Sequence, residues 1–488
     1  MQYRFDRNLE SLTGTSKMRL IVAVSGGPDS MCLVNLLYNS SLECSIVIAH
    51  MNFNLRPGDC DDDERLVEKW AGERNIPFYR KSVDTYAYAA EHSLSVEMAA
   101  RELRYSWFFE LLEEGYDYVA IAHNANDNAE TLLLNLTRGS GLKGLCGIKA
   151  LDMERKIVRP LMIFERREIE MYIKKHSVPF AIDKTNLSTD FSRNRIRNRV
   201  IEELKLINPA VVATLNKDIV HLSSAFTLIE SYRAEAFGKF FIEGEMFGNL
   251  IDATVTNRSA KRVISAAAAP YFECAVSVGK LMESPGWQYW LYAVASEYGF
   301  NGAVISSLSA SVASRSYGTI FESAGYVAVM ERGYLKIFSK GILVQDKSVE
   351  LPLPCSNGIE VSFGGLAVRF RYECMERNGA ETDSAPRRMA AFKEMAGRGI
   401  FSIDASRLSF PLEVRAMQKG DRFTPFGMRG SKSLSDYYTD IKMDNLLKNR
   451  LPVILSDGNV VALPGLQISD KYRVSEKSTR ILTISPGF

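Results

Sequence analysis

Ser25-Gly26-Gly27-Pro28-Asp29-Ser30 is the stretch whose residue types are best suited to chemistry. It follows an apolar run, Leu20 to Val24, and precedes the apolar-periodic Met31 to Tyr38, so its context is strand, loop, helix. Two glycines let backbone N–H groups approach an anion, Pro28 suits a first helical position, and a helix N-terminus adds partial positive charge. A phosphate is the natural guest. The Walker pattern would require a Lys here and none is present, which argues against cleavage between β- and γ-phosphates in the usual manner. A loop that holds pyrophosphate fits better, the alternative being a plain Gly-Pro turn that caps a helix.

Three further polar stretches fall where strands end or helices leave them. Ala49 to Arg56 lies beside the loop and could cover a nucleoside. In Glu97 to Tyr105, Arg101, Arg104 and Tyr105 share a helix face, where arginine could neutralise a triphosphate, or simply meet solvent. In His123 to Thr131, the spacing of His123, Asp127 and Glu130 puts them on one helical stripe. Carboxylates near a phosphate loop suit Mg²⁺, with Asp127 as its ligand, while Glu130 could hold a substrate ammonium group. A lone His is more often structural. Gly139-Ser140-Gly141-Leu142-Lys143-Gly144 matches a dinucleotide pattern but follows a helix, so its context fails. Basic residues cluster twice: Arg193, Arg195, Arg197 and Arg199, and then eight Lys or Arg against four Asp from Arg415 to Arg450, interleaved with Phe423, Phe426, Tyr437 and Tyr438. Such mixtures suit a phosphate backbone and exposed bases, or a solvated surface.

The elements that must position these residues alternate. Leu20 to Val24, Ser45 to Ala49, Phe78 to Val83 and Tyr118 to Ala122 read as strands with helical patterns between them, which predicts an α/β fold, a doubly wound parallel sheet. Ligands of such sheets bind beyond the carboxyl ends of the strands. After about Asn208 the pattern turns helical, including 216–232 and 287–296, and from Ser348 alternation returns. This predicts a catalytic domain over 1–215, a mainly helical middle domain over 216–345 and a small α+β domain over 346–488. Asp457-Gly458 reads as a hairpin turn, Glu376 to Gly399 as a loop or linker, and Trp290 with its aromatic neighbours as core. With 488 residues, 46% hydrophobic and 24% charged, the chain is globular and excludes collagen-like and disordered classes. A formal charge of +2 hides any local patch. The seven Cys have no Cys-x-x-Cys spacing and read as reduced thiols, and no apolar run reaches a membrane span, so the expected location is cytoplasmic.

Ser25 to Ser30 resembles the Ser-Gly-Gly-x-Asp-Ser loop of the pyrophosphate-loop ATPases, which adenylate a carbonyl oxygen and release pyrophosphate. Ala100-Arg101 with Arg104-Tyr105, the His123 to Thr131 stretch, Arg138 to Gly141, Arg159-Pro160-Leu161, Asp183 with Asn186, and Arg193 to Arg197 are similar, in order and spacing, to the bacterial tRNA(Ile)-lysidine synthase family. Leu412 to Arg415, Gly420 to Arg422, Phe426 to Met428, Lys432 and Arg450 extend the resemblance to its C-terminal domain. Asn124, Asn126 and Phe53 depart from the His, Asp and His usual in that family.

The resemblance implies ATP-dependent ligation of L-lysine to the wobble cytidine of the CAU anticodon of isoleucine tRNA, through an adenylated cytidine. It implies ATP on Ser25, Gly26, Gly27, Pro28, Asp29 and Ser30, and catalytic roles for Asp29, Arg101, His123 and Asp127, with His123 and Asp127 positioning groups or managing protons. Mg²⁺ would sit on Asp127 and lysine on Glu130. The tRNA would lie on Arg193, Arg195, Arg197, Arg415, Arg422 and Lys432. A homodimer is left open. The alternatives are a tRNA thiolase of the same superfamily, against which the Cys spacing argues, and a non-catalytic nucleotide-sensing RNA-binding protein.

Overall fold

The computed structural model describes the chain except residues 56–58, 182–191, 245–250, 252–254, 256–257, 345, 354–357, 365, 375–384 and 487–488. Arg56, Asp183 and Asn186 therefore lie outside the described residues. The chain forms two compact units, Met1–Ser231 and Tyr232–Phe488.

Up to His176 the helices of the first unit are α1 (Gln2–Thr13), α2 (Pro28–Tyr38), α3 (Asp59–Gly72), α4 (Thr85–Glu91), α5 (Val96–Leu112), α6 (Ala125–Thr137), α7 (Leu142–Leu145) and α8 (Arg166–His176). The strands are β1 (Lys17–Ala23), β2 (Glu43–Asn52), β3 (Phe78–Ser82), β4 (Tyr118–Ala120), β5 (Leu151–Asp152) and β6 (Ile157–Val158). They form one sheet in the order β3-β2-β1-β4-β6-β5, parallel except for the edge strand β5. Along β1, Leu20 and Val22 pack with Phe5, Met31, Leu33, Val67 and Ile169, while Ile21 packs with Trp107, Phe108, Leu111 and Val119. Successive side chains of a strand point to opposite faces, so β1 feeds two cores and helices cover both sides. The four strands read from the sequence are all present.

The helix Val211–Ser231 runs through the boundary expected at 215/216 and stays with the first unit. The helices expected in the middle segment are found, Trp287–Glu297 among them, and they accompany a five-stranded antiparallel sheet. The tight turn Glu331–Tyr334 joins two of its strands, Tyr326–Glu331 and Tyr334–Ser339. Trp290 is buried, its Nε1–H donating to the Pro285 carbonyl at 3.2 Å. One core joins Val263, Phe272, Val329 and Phe338 to Leu434, Tyr438, Leu446, Val453 and Leu463, so no break in packing marks the boundary expected at 345/346. The linker expected over Glu376 to Gly399 is corrected in part: Ala385–Gly397 is a helix, and 375–384 lie outside the described residues.

Asp457 and Gly458 both take positive φ, 49° and 68°, between Val453–Ser456 and Asn459–Leu463, as a two-residue hairpin requires. A Cβ at Gly458 would meet nothing within 4 Å, so Gly458→Ala costs only the left-handed backbone penalty of about 1–2 kcal/mol. Gly364 has φ +61°, and a Cβ there would overlap the carbonyl oxygen of Arg450. Gly364→Ala is therefore expected to lower the urea midpoint of the second unit more than Gly458→Ala does. The reverse order would refute the close approach.

Candidate active site

Strand β1 lies between β2 and β4, so the chain's path across the sheet reverses beside it. The loops leaving β1 and β4 open a crevice at that reversal, where ligands of such sheets bind. The first loop is held tightly. Val24 N–H reaches the Ala49 carbonyl at 3.0 Å, and Gly26 turns at φ +89°, a conformation that side chains resist. The Ser30 hydroxyl donates to the Gly27 carbonyl at 3.0 Å and accepts the Ser25 N–H at 3.2 Å. Helix α2 starts at Pro28 with no side-chain cap, and the Met31 N–H bond to the Gly27 carbonyl is its first turn. The N–H groups of Asp29 and Ser30 lie ahead of that bond, at the positive helix end, where an anion is favoured.

The second loop grips the first through Asp29. Asn124 Nδ2 donates to Asp29 Oδ1 at 2.9 Å, and Arg166 Nη2 to Oδ2 at 2.9 Å. Asn124 also caps α6, its Oδ1 accepting the N–H groups of Asn126 and Asp127 at 2.9 and 3.1 Å, while Asp127 Oδ2 accepts the Asn124 N–H at 3.0 Å. This reciprocal pair is a capping box. Asn126 Oδ1 accepts the Arg166 N–H at 3.0 Å, fixing the start of α8. Two of the residues that depart from the resembled family thus tie three helix starts together. The third, Phe53, lies under the Arg104 guanidinium, 5.0 Å from its ring centre. Burial pushes the Asp29 carboxyl above its usual range and Asp127 adds to this, while Arg166, Asn124 and Arg197 pull it back. Arg166 escapes sequence reasoning because its partner is 137 residues away.

His123 is not on the α6 stripe, since the helix begins after the cap Asn124. Its Nδ1 accepts from Arg159 Nε at 3.0 Å. Withdrawal from water, then Arg159, Arg193, Arg104 and Arg101, push the imidazole down to about 3. Arg101 is exposed and lies over the Tyr105 ring at 5.0 Å. Of the stretch expected to cover a nucleoside, His50 turns inward and donates Nδ1–H to the Val24 carbonyl at 2.8 Å.

Glu130 is 1% exposed, and both its oxygens are taken: Oε1 by Arg197 Nε at 2.6 Å, Oε2 by Arg193 Nε and Arg197 Nη2 at 2.9 Å each. Asp127 Oδ1 accepts from Arg193 Nη2 and Arg197 Nη2 at 3.2 and 3.3 Å. Three expectations change here. In this arrangement Glu130 offers no free oxygen to a lysine ammonium. Asp127, with one oxygen on a backbone N–H and the other on two guanidiniums, does not fit a Mg²⁺ ligand. Arg193 and Arg197 neutralise these carboxylates, while Arg195 is exposed. Among the described residues no group of three His, Cys, Asp or Glu is placed to hold a metal.

In the second unit Arg415 is paired with Asp421 through two bonds of 2.8 and 2.9 Å, both side chains 11% exposed. Arg450 is buried against the Val344 carbonyl and the Tyr271 hydroxyl. Lys432 is paired with Asp440. Arg422 is exposed and bonds Ser431, and Lys419 and Arg429 are also exposed. The basic patch is thus narrower than its sequence, and Arg415 is a correction.

A PP-loop domain model matches residues 1–204. The chain is an ATP-using enzyme of the pyrophosphate-loop class. A TilS substrate binding domain model matches 272–340, and a TilS substrate C-terminal domain model matches 412–484. A tRNA(Ile)-lysidine synthase of Parabacteroides distasonis is 32% identical over 96% of this chain and 95% of its own, and one of Bacteroides thetaiotaomicron is 30% identical over 95% and 94%. The chain belongs to the tRNA(Ile)-lysidine synthase family, and is a tRNA-modifying ligase. Among solved structures, the U34-tRNA thiolase NcsA from Methanococcus maripaludis is 18% identical, with a TM-score of 0.38 over 45% of this chain and 78% of that one. Among the described residues no helix is long and apolar enough to cross a membrane.

Arg166 is the largest influence holding the Asp29 pKa down, so Arg166→Gln lets it rise. With Asp29 working ionised, the acid limb of ATP turnover then moves to higher pH, read from rates between about pH 5 and 8. Arg166→Lys is expected to shift it less. An unchanged limb in Arg166→Gln would separate Arg166 from the ionisation of Asp29.

Proposed function

We propose that the protein joins L-lysine to the wobble cytidine of isoleucine tRNA bearing a CAU anticodon, in the cytoplasm, by way of an adenylated cytidine. The observation that carries this reading is the crevice where the phosphate loop, locked through Asp29 to Asn124 and Arg166, faces the arginines around His123. A cytosine carbonyl is a poor electrophile, so its 2-oxygen must become part of a leaving group. That oxygen attacks the α-phosphorus of ATP, the bond to the bridging oxygen breaks, and pyrophosphate departs. The neutral ε-amine of lysine then attacks C2, and AMP leaves with the former carbonyl oxygen. A protonated amine has no lone pair for this step.

Ser25, Gly26, Gly27, Pro28 and Ser30 form the ATP cradle, and Asp29 fixes it against the second loop. Arg101, exposed at the crevice, offsets charge on the phosphates. Mg²⁺ brought in with ATP would lower the negative charge of the phosphates, with Asp127 left to its arginines. Asp127 and Glu130 hold Arg193 and Arg197 in place, so Glu130 affects both half-reactions through them.

Incubating the protein with ATP, labelled lysine and isoleucine tRNA should place the label in a modified nucleoside after digestion, with pyrophosphate released. Asp29→Ala and Arg101→Ala should abolish pyrophosphate release while tRNA still binds. Glu130→Gln should depress both half-reactions together. An adenylated tRNA that accumulates in Glu130→Gln would instead return Glu130 to direct contact with lysine.

The exposed cations of the second unit make a separate expectation. Replacing Lys419, Arg422 and Arg429 by Ala should reduce the slope of log K against log salt for tRNA binding by up to about two or three units. Arg415→Ala should leave that slope alone and destabilise the unit, because its charge is spent on Asp421. Anisotropy titrations across salt concentrations read both, and equal slopes in the triple variant and the parent would mean those side chains meet only solvent.

A further inference from the structure

Arg159 and His123 determine where one proton sits in the crevice. Arg159 is 7% exposed, and its Nη1 donates to the Lys149 carbonyl at 2.7 Å, so the guanidinium is anchored. Its Nε then points at His123 Nδ1, 3.0 Å away. A guanidinium has only donors and keeps its protons, so Nδ1 must supply the lone pair. In a neutral imidazole the hydrogen is then on Nε2. The charge state follows from the surroundings. The groups that shift His123 are Arg159 after β6, Arg193 on the short helix Ser192–Arg195, and Arg104 and Arg101 on α5, all of them cationic. A second proton on the ring would face four guanidiniums. Among the described residues Nε2 has no hydrogen-bond partner, which leaves its N–H for a ligand.

We propose that Arg159 is a positioning residue that locks His123 in the Nε2–H tautomer, making it a neutral N–H donor to an anionic oxygen in the crevice and not a proton acceptor. That the oxygen belongs to ATP or to the adenylated cytidine rests on the proposed function. The lock itself does not. A proton acceptor needs a free lone pair, and the only one on this ring is occupied by Arg159. A fixed donor aimed at developing charge is the more useful device in a crevice already lined with cations.

The test uses the full chain with ¹⁵N-labelled histidine. The His123 resonances should show Nδ1 as the bare nitrogen and Nε2 as the protonated one, unchanged between about pH 5 and 9. In Arg159→Met, checked for folding by circular dichroism, they should show a tautomer mixture, with the titration moved up from the parent's but still held below the ordinary value by burial and the three remaining arginines. If that variant does not fold, the parent spectrum still decides: a protonated Nδ1, or a titration near the ordinary value, overturns the proposal. A second arm follows the donor. His123→Ala should slow pyrophosphate release about 10²-fold, while His123→Gln, which keeps an N–H but no basic nitrogen, should lose no more than about tenfold. Equal losses in the two variants would overturn the donor role. The spectrum reads the lock whether or not lysine is incorporated, so failure of the proposed reaction and failure of the lock are told apart.

Discussion

The Asp29 carboxylate is the point on which the crevice depends. It sits on the first turn of α2, withdrawn from water, and a carboxylate so placed needs strong partners if it is to stay charged. The partners come from two other segments, Asn124 in the loop between β4 and α6 and Arg166 at the start of α8. Because Asn124 also caps α6 and Asn126 holds the Arg166 backbone, the same few bonds set the start of three helices. Local helix geometry and the relative placement of two loops thereby become one problem with one solution. A neutral amide suits this place: it donates to Asp29 with one end and accepts from α6 with the other, which a carboxylate could not do.

Charge is handled by internal pairing. Glu130 and Asp127 are matched by Arg193 and Arg197, and in the second unit Arg415 is matched by Asp421. Buried carboxylates without such partners would protonate or destabilise the fold, so arginines that look available in the sequence are already engaged. A bidentate guanidinium fits a carboxylate with little loss of freedom, which is why these are Arg positions and not Lys positions. What remains exposed among the described residues includes Arg101, Arg195, Arg199, Lys419, Arg422, Arg429 and Lys442. In a chain whose total charge is close to zero, this selects where an anionic partner can be met.

The second unit follows a different logic. Its β-rich segments share a core in which residues near 263–338 pack with residues near 434–466. A hydrophobic core has no regard for sequence distance, only for apolar area removed from water, so neighbouring segments that each lack enough of it merge. Two regions that differ in pattern can then be one folding body.

The alternation of strand and helix, the phosphate loop and the hairpin at Asp457-Gly458 are legible along the chain, because each is a local matter of side-chain period, glycine conformation and helix-start chemistry. The sequence also carried the family, through motif order along the chain. Which charged residues are spent on one another follows from the folded arrangement alone. Glu130 and Arg197 lie 67 positions apart, and Asp29 and Arg166 lie 137 apart. No periodicity links such pairs. The same holds for His123, which spacing puts on a helical stripe and the Asn124 cap takes off it, and whose ring is oriented by an arginine 36 residues away. The continuous core of the second unit was equally invisible. Residue types show what chemistry is available, but pairing depends on through-space distance and burial, and those exist only once the chain has folded.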